Sequence, residues 1–187
     1  MRLPSIVGYA AVFNAPMRFA PDALTYYRRG AFAESLRLGI PITATIGHLP
    51  ELALATDILA AEDDIGLGVK VQPDDSPHAR LLIDAIRAGS FLGMSFSARW
   101  SDGRTFAGKD GNIYREVREC LVWEVCATAF PRCALTCCRL LGEPSWPVDP
   151  RAAKTLSALC FQIQQRDGFG VPAPKSVDEM ENEYAIA

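Results

Sequence analysis

The chain has 187 residues, a formal net charge of −3 at pH 7 and a sequence pI near 5.4, so we expect one domain, with room for a tail, and no basic footprint for nucleic acid. Apolar residues make up 49% of the chain, which is enough for a packed core and too many for a disordered protein. No run approaches the ~18 uncharged apolar residues of a membrane helix, so we expect no membrane partner either.

The first half of the chain is predicted to be rich in strands, with one short helix. Residues 5–13 are apolar and contain many strand formers, and Asn14-Ala15-Pro16 ends them. A short helix is expected over residues 31–38, with Gly39 as its stop. Further strands are predicted over residues 42–46, 52–60 and 67–71, the last two joined by a hairpin at Asp63-Asp64-Ile65-Gly66.

The clearest predicted helix lies in the middle of the chain. Ser76 can cap it, Pro77 suits its first position and Gly89 suits its end. Its apolar residues recur at i, i+3, i+4 and i+7 and give one apolar face, formed by Ala79, Leu82, Ile83 and Ile86. Three strands are then predicted over residues 91–100, 113–117 and 121–130, with Asp110-Gly111 as a turn before the second.

These elements predict a mixed β fold with peripheral helices. About six or seven strands and two helices occur mostly without βαβ alternation, which favours an antiparallel or mixed β-barrel over a doubly wound sheet. Residues 142–150 contain three prolines and break the pattern, so the folded domain is assigned to residues 1–142. Residues 143–187 are predicted to form a linker, a short helix that Asp149-Pro150 opens and Gly168 ends, and a flexible acidic tail.

All six cysteines lie between residues 120 and 160: Cys120, Cys126, Cys133, Cys137, Cys138 and Cys160. A disulfide-built secreted scaffold would spread them along the chain. The sequence contains no Cys-x-x-Cys pair, the spacing that is typical of a zinc site. We therefore expect buried free thiols in a reducing cytosol. The usual phosphate-binding, dinucleotide-binding and metalloprotease motifs are absent from the sequence, so we expect neither a metal nor a cofactor.

The chain contains two histidines, and they differ in what their positions suggest. His78 falls in the first turn of the helix after Ser76, where a solvated surface residue is the simplest interpretation. His48 follows Gly47 at the end of a strand, and the missing side chain of Gly47 leaves room for a close approach. The position of His48 suits an ordinary loop histidine or a general base, and both interpretations stay open.

Ser95 and Glu124 lie within predicted strands. Period-2 alternation puts Ser95, Ser97 and Arg99 on one face, which is either a solvent-facing edge or the place of a nucleophile. Glu124 lies in an apolar run, so it faces water or is paired when buried, and a histidine N–H is its natural partner. Together His48, Ser95 and Glu124 would supply base, nucleophile and orienting acid, as in a serine-hydrolase triad. Spacing alone does not show whether the three side chains meet.

A cysteine nucleophile is the alternative to Ser95. Cys126 lies two residues from Glu124, and alternation points both side chains the same way. A reactive thiolate needs a nearby histidine to lower its pKa, and His48 is the one plausible candidate in the sequence.

Six segments, in the right order, resemble the caudovirus prohead serine protease family. They are residues 8–14 (GYAAVFN), 29–36 (RGAFAESL), the strand that ends in His48, 63–67 (DDIGL), 87–96 (RAGSFLGMSF) and 123–125 (WEV), with Pro131 seven residues after Glu124. The most specific of them is residues 87–96, which contains Ser95. The resemblance spans residues 8–131, most of the expected domain.

This resemblance implies an assemblin-like β-barrel, related to the herpesvirus maturation proteases, with Ser95 as nucleophile, His48 as base and Glu124 as third member. It also implies that the enzyme cleaves the scaffolding segment of the major capsid protein, and itself, inside an assembling procapsid in the cytoplasm of a bacterial host. The resemblance is compatible with an oligomer. Whether the particle is a virus or a domesticated gene-transfer particle stays open.

Three departures from the family pattern surround these residues. Leu49-Pro50 follow His48, where an acidic residue is common. Cys126 follows the Glu-Val pair, where a small hydroxyl residue is common, and Ser97 stands where a glycine is common. The departures leave nucleophile and base in place and bear on substrate preference and on the third residue.

Two other functions stay open at this point. A non-catalytic capsid assembly or scaffold protein on the same fold would bind capsid protein without hydrolysing it. An unrelated β-barrel binding module would hold His48 and Ser95 far apart, so the distance between these two side chains separates it from a peptidase.

Overall fold

The structure, a computed structural model, describes residues 2–91 and 93–143. In chain order its elements are β1 (Ile6–Val12), β2 (Met17–Ala20), β3 (Ala23–Tyr27), α1 (Ala33–Arg37), β4 (Thr43–Ile46), β5 (Leu49–Ala53), β6 (Ala55–Glu62), β7 (Gly66–Pro73), α2 (Pro77–Arg87), β8 (Gly93–Ala107), β9 (Ile113–Thr128) and β10 (Cys137–Leu140). Neither helix of this part of the chain is long and apolar enough to cross a membrane. The predicted linker helix, the acidic tail and Cys160 lie outside the described residues.

The strands form two sheets, one of four strands and one of six. The smaller sheet has the order β10-β1-β7-β6 and is antiparallel. β9 is the spine of the larger sheet, because its first half pairs in parallel with β3, its second half pairs in parallel with β4, and β8 runs antiparallel along its other edge. β2 extends this sheet beyond β3, and β5 extends it beyond β4. The predicted mixed β class with few helices is confirmed. The strand pairings of the described residues close no barrel, and the barrel stays a prediction.

One apolar cluster joins the two sheets and α2. Its fully buried side chains include Ile6 and Leu67 from the smaller sheet, Met94 and Val122 from the larger sheet, and Ile83 from α2. Burial of an aliphatic side chain of this size stabilises the fold by about 1.5–3 kcal/mol. The cluster therefore holds the two sheets together. It also supports one face of β8 and β9, through Met94 and Val122.

The central helix and the hairpin before it confirm the predictions made for them. Ser76 Oγ accepts a hydrogen bond from the backbone N–H of Ala79 at 3.3 Å, and Gly89 after the helix has a φ of 73°. All four residues of the predicted apolar face are buried. In the hairpin between β6 and β7, Asp63 Oδ1 accepts two backbone N–H groups of the predicted turn.

The prediction of six or seven strands is wrong, because the described residues form ten. β2, β3 and β10 have five residues or fewer, which is too short for alternation to stand out. The predicted strand over residues 52–60 is two strands, separated by the buried Leu54, whose N–H donates to Ala44 O at 2.8 Å. The two strands predicted over residues 113–130 are the single strand β9, and β8 extends seven residues beyond its expected end at Trp100.

Glu116 is a buried carboxylate that ties three strands of the larger sheet together. Its Oε2 accepts from Arg28, which follows β3, and from Arg104 of β8, while Oε1 accepts from Arg118 Nε at 2.8 Å. Tyr26 OH also donates to Oε2, at 3.3 Å. Burial raises the pKa of Glu116, but its three guanidinium partners, Arg118 foremost, outweigh this effect and lower the pKa to about 2. The carboxylate is therefore ionised in the folded protein at all but strongly acidic pH.

We expect Glu116→Gln to lower the melting temperature at neutral pH, because three guanidiniums would then surround an uncharged amide. A carboxylate whose pKa falls on folding stabilises the folded state above its ordinary pKa of 4.5, and this stabilisation is lost as the pH falls toward 2. The difference in Tm between the variant and the wild type should therefore shrink over that interval.

Thermal unfolding followed by circular dichroism measures this difference. Glu51→Gln is the matched control, because Glu51 is an exposed carboxylate on β5. An unchanged Tm at neutral pH, or a difference that persists undiminished in acid, would contradict the role assigned to Glu116.

Candidate active site

The turn between β4 and β5 fixes His48. Gly47 and His48 are its two central residues, and both have positive φ, 61° and 65°, as two-residue hairpin turns of type I′ require. Histidine is among the residues that adopt this conformation more readily than most. The Gly47 N–H donates to Ala127 O of β9 at 2.9 Å, so the turn is tied to the spine of the larger sheet.

The space beside Gly47 is open, since a Cβ at this position would meet no described atom within 4 Å. Its positive φ is the constraint, since a side chain is strained in that conformation and glycine is not.

Strand pairing brings Ser95 and Glu124 onto one face of the larger sheet. In the antiparallel pair of β8 and β9, Ser97 lies opposite Glu124 and Ser95 lies opposite Cys126. Paired residues point to the same side, so Ser95, Ser97 and Glu124 share a face, as the alternation predicts. β4 adds Thr45 to this face, because it lies opposite Cys126 on the other edge of β9.

His48 bridges Ser95 and Glu124. Its Nε2 lies 3.0 Å from Ser95 Oγ, and its Nδ1 lies 3.0 Å from Glu124 Oε2. Ser95 and Glu124 are buried, whereas 39% of the His48 side chain is exposed. With the proton on Nδ1, facing the carboxylate, Nε2 is free to accept the proton of the Ser95 hydroxyl. The unrelated binding module, which requires His48 and Ser95 to lie far apart, is excluded by these distances.

Two hydroxyl groups complete the surroundings of the Glu124 carboxylate. Thr45 Oγ1 donates to Oε1 at 2.5 Å, and Ser97 Oγ donates to Oε2 at 2.5 Å. Burial raises the pKa of Glu124, but the hydrogen bonds that it accepts, from Ser97 first, outweigh this effect and hold the pKa below its ordinary value. The carboxylate is therefore ionised, and its orientation toward His48 is fixed from both oxygens.

Thr45 is the member of this cluster that the sequence did not reveal. Alternation puts Ser97 on the correct face without giving it a role, and Thr45 is simply part of a predicted strand. The available signal was the alternation of hydroxyl residues at Thr43 and Thr45, just before His48. Only the pairing of β4 with β9, which brings together residues 79 apart in sequence, connects Thr45 to Glu124.

The cysteine alternative fits the structure poorly. Cys126 is 1% exposed, and burial raises the pKa of its thiol to about 11. A thiol with this pKa is protonated near neutral pH and is a weak nucleophile. All five described cysteines are free, and Cys137 is exposed, so the expectation of buried thiols is wrong for that residue.

The remaining histidine takes no part in the cluster. His78 is half-buried in the first turn of α2, and its Nε2 lies 2.7 Å from the backbone oxygen of Ala53. Across residues 2–91 and 93–143, no three side chains of the His, Cys, Asp and Glu types are grouped so that they could hold a metal ion.

The start of β8 is packed against the loop that follows β9. A Cβ on Gly93 would lie 2.4 Å from Pro131 Cγ, so this packing requires glycine. The N–H of Met94 donates to Thr136 Oγ1 of the same loop at 3.3 Å. These contacts fix the backbone immediately before Ser95.

Comparison with known protein families adds one finding. A family model described as caudovirus prohead serine protease matches residues 2–139. The matched range contains all six segments of the resemblance, and with them His48, Ser95 and Glu124. No curated protein matches the chain.

We expect Thr45→Val to destabilise the protein at neutral pH by about 1–3 kcal/mol, because a side chain of similar shape leaves the buried Glu124 carboxylate with one donor fewer. The lowered pKa of Glu124 contributes stability above its ordinary value that is lost as the pH falls through the folded-state pKa. The loss caused by Thr45→Val should therefore be largest at neutral pH and shrink in acid.

Urea unfolding at neutral and acidic pH measures this loss. Thr43→Val is the matched control, because Thr43 is exposed and its Oγ1 donates to the backbone oxygen of Trp123. Equal losses for the two variants, or a loss that does not change with pH, would show that Thr45 has no special relation to Glu124.

Proposed function

The chain belongs to the caudovirus prohead serine protease family, and we propose that it is a serine endopeptidase that matures the procapsid of a phage-type particle. Its substrate is the scaffolding segment of the major capsid protein, and it also cleaves its own chain. The observation that supports this proposal most directly is the hydrogen-bonded chain from Ser95 through His48 to Glu124, with both contacts at 3.0 Å.

The proposed reaction begins at the Ser95 hydroxyl. Ser95 Oγ attacks the carbonyl carbon of the scissile peptide bond while His48 Nε2 takes the hydroxyl proton. The tetrahedral intermediate collapses as His48 gives this proton to the leaving amine, and an acyl group remains on Ser95. A water molecule then gives a proton to His48 and attacks the acyl carbon. The new carboxyl product leaves as Ser95 regains its proton from His48.

Glu124 acts on the imidazole and not on the substrate. Its Oε2 accepts from His48 Nδ1, which selects the tautomer that leaves Nε2 free to take a proton. When His48 carries both protons, the ionised carboxylate stabilises the positive charge. Thr45 and Ser97 are positioning residues in this scheme, because they hold the carboxylate through hydrogen bonds without reaching the reacting atoms.

The chain is further proposed to divide at the end of β10. Residues 1–142 form the protease domain, whose two sheets belong to an assemblin-like barrel, and residues 143–187 form a linker, a short helix and an acidic tail that brings the protease into the shell. The protein would act inside the assembling procapsid, in the cytoplasm of a bacterial host. Glu143 still pairs with Arg87 of α2, with Nη2 and Oε1 2.6 Å apart, so a truncation should end after Glu143.

Ser95→Ala should abolish processing of a co-expressed capsid protein, because loss of one member of the triad removes several orders of magnitude in rate. The fold should be intact, since the substitution removes a single hydroxyl and its hydrogen bond to the half-exposed His48 and leaves the strand pairing unchanged. Cys126→Ser is the control for the thiol alternative and should retain most activity. Mass spectrometry of the capsid protein measures processing.

Normal processing by Ser95→Ala, or a loss of processing confined to Cys126→Ser, would reject Ser95 as the nucleophile. Binding of capsid protein by the wild type without any hydrolysis would favour the non-catalytic assembly protein instead.

Glu124→Gln should lower kcat for a peptide substrate by roughly three to four orders of magnitude, because the amide can present the wrong group to the imidazole and carries no charge. Its effect on KM should be small. Glu119→Gln is the control on the same strand, because Glu119 accepts from Ser101 Oγ away from the cluster. Activity of Glu124→Gln within about threefold of the wild type would reduce the site to a dyad of Ser95 and His48.

A chain that ends after Glu143 should remain soluble and should cleave a free peptide, while failing to enter assembling particles. Peptide cleavage and the protease content of purified particles are the two measurements. Aggregation or loss of peptide cleavage would show that the removed residues belong to the folded domain, and normal entry into particles would reject the recruiting role of the tail.

A further inference from the structure

One face of the larger sheet collects arginines around Glu116; we call it the arginine face and define it by Arg18, Arg28, Arg104 and Arg118. Arg104 lies opposite Glu116 across β8 and β9, and Arg118 lies two residues after Glu116 on the same strand. Arg18 of β2 lies opposite Leu24, two residues before Tyr26, which pairs with Glu116. Paired residues and alternate residues share a face of a sheet, so these guanidiniums gather on one side.

Positive charge on the arginine face exceeds the negative charge that the described residues place against it. Arg28, Arg104 and Arg118 all bind the single carboxylate of Glu116, at 3.1, 3.2 and 2.8 Å. Arg104 and Arg118 each use one N–H for this contact, and about half of each side chain is exposed. Asp102 is the further carboxylate near Arg118. Four guanidiniums therefore face two carboxylates within this part of the structure.

Arg18 adds to this excess as a buried cation. It is 9% exposed, its Nη1 donates to the backbone oxygen of Pro21, and its Nε has no partner among the described residues. No carboxylate of the described residues pairs with it. An unpaired buried charge is unfavourable, and a carboxylate that approaches the face would offset it.

A groove of about 200 Å³ opens beside the arginine face, where β8 bulges away from β9. Its lining includes two arginines, Arg104 and Arg115, and two carboxylates, Asp102 and Glu116, together with Trp100, Ser101 and Thr105. Arg115 lies over the Trp100 ring at 4.9 Å, and Arg104 lies over the Phe106 ring at 5.2 Å. Arg104 and Phe106 lie on the arginine face, whereas Arg115 and Trp100 lie on the opposite face of the sheet, because Arg115 is the residue next to Glu116 on β9. The guanidinium of Arg104 beside the Phe106 ring suits a peptide in which carboxylates alternate with apolar side chains.

We propose that the acidic C-terminal segment of this chain, residues 176–187 (SVDEMENEYAIA), docks on the arginine face and its groove. The segment contains four carboxylate side chains and no Lys or Arg; they are Asp178, Glu179, Glu181 and Glu183. Met180 and Tyr184 are spaced among them and match the exposed Phe106 ring beside Arg104. Between Glu143 and this segment lie 32 residues, enough to span about 100 Å, so chain length does not prevent the contact.

Docking on this face leaves the cluster around Ser95 uncovered. Arg104 lies nine residues after Ser95 on β8, and a strand rises about 3.3 Å per residue, so roughly 30 Å separate them along the strand. The docked segment would hold the acidic tail on β8, the strand that carries Ser95. The contact does not depend on the proposed peptidase activity, and either can fail without the other.

Hydrogen–deuterium exchange of the full-length chain, analysed on peptides from residues 100–118, tests the docking. The tail variant changes Asp178→Asn, Glu179→Gln, Glu181→Gln and Glu183→Gln, and it leaves every described contact of the domain in place. The face variant changes Arg104→Gln and Arg118→Gln. The control changes Arg2→Gln and Arg139→Gln, two exposed arginines near or on the smaller sheet, with the same change in charge.

The tail variant should exchange about threefold to tenfold faster than the wild type over residues 100–118, as the loss of several exposed ion pairs predicts. This difference should disappear at about 1 M salt, where charges are screened within about 3 Å. A chain that carries both the tail and the face substitutions should exchange over residues 100–118 at the same rate as the face variant alone. The control should exchange like the wild type.

Equal exchange over residues 100–118 in the tail variant and the wild type would overturn the proposal. The same would follow if the control variant exchanged there as fast as the tail variant. Protection that falls on dilution would overturn docking within one chain and assign the face to the tail of a second copy. Because the tail variant alters no residue of the domain, a failure of the face variant to fold would leave this comparison intact.

Discussion

The buried carboxylate of Glu124 is the constraint on which the rest of the site depends. A carboxylate at 8% exposure must be surrounded by donors, and here they come from two separate pieces of chain: Thr45 and His48 from β4 and the turn after it, and Ser97 from β8. A one-residue slip of β4 or β8 against β9 would turn a hydroxyl to the opposite face and leave the carboxylate with fewer partners. The need to satisfy Glu124 therefore sets the register that also brings Ser95 to His48.

β9 carries a second buried carboxylate, and the contrast between the two shows what makes the first one useful. Glu116 is surrounded by guanidiniums, which are permanently charged, so it serves as a fixed link between strands. Glu124 is surrounded by two neutral hydroxyls and one imidazole. A positive charge appears beside Glu124 only when His48 takes a proton, so its electrostatic stabilisation is reserved for that protonated state.

The sequence predicted those features whose causes are local. The cap at Ser76, the apolar face of α2 and the turn at Asp63 each depend on residues within a few positions, and the structure contains all of them. Thr45 could not be found in this way, because its partner is reached only through the parallel pairing of β4 with β9. The positive φ of Gly47 could not be predicted either, because a backbone angle leaves no trace in hydropathy or spacing.

The most direct test of the account is covalent labelling with a fluorophosphonate, which reacts with a serine hydroxyl only when a neighbouring base activates it. Intact-mass measurement and peptide mapping of the full-length chain locate the adduct. The account predicts one adduct, on Ser95, that is absent in Ser95→Ala and greatly slowed in His48→Ala while both variants keep the wild-type circular dichroism spectrum. An adduct on another residue, or equal labelling with and without His48, would contradict the claim that His48 activates Ser95.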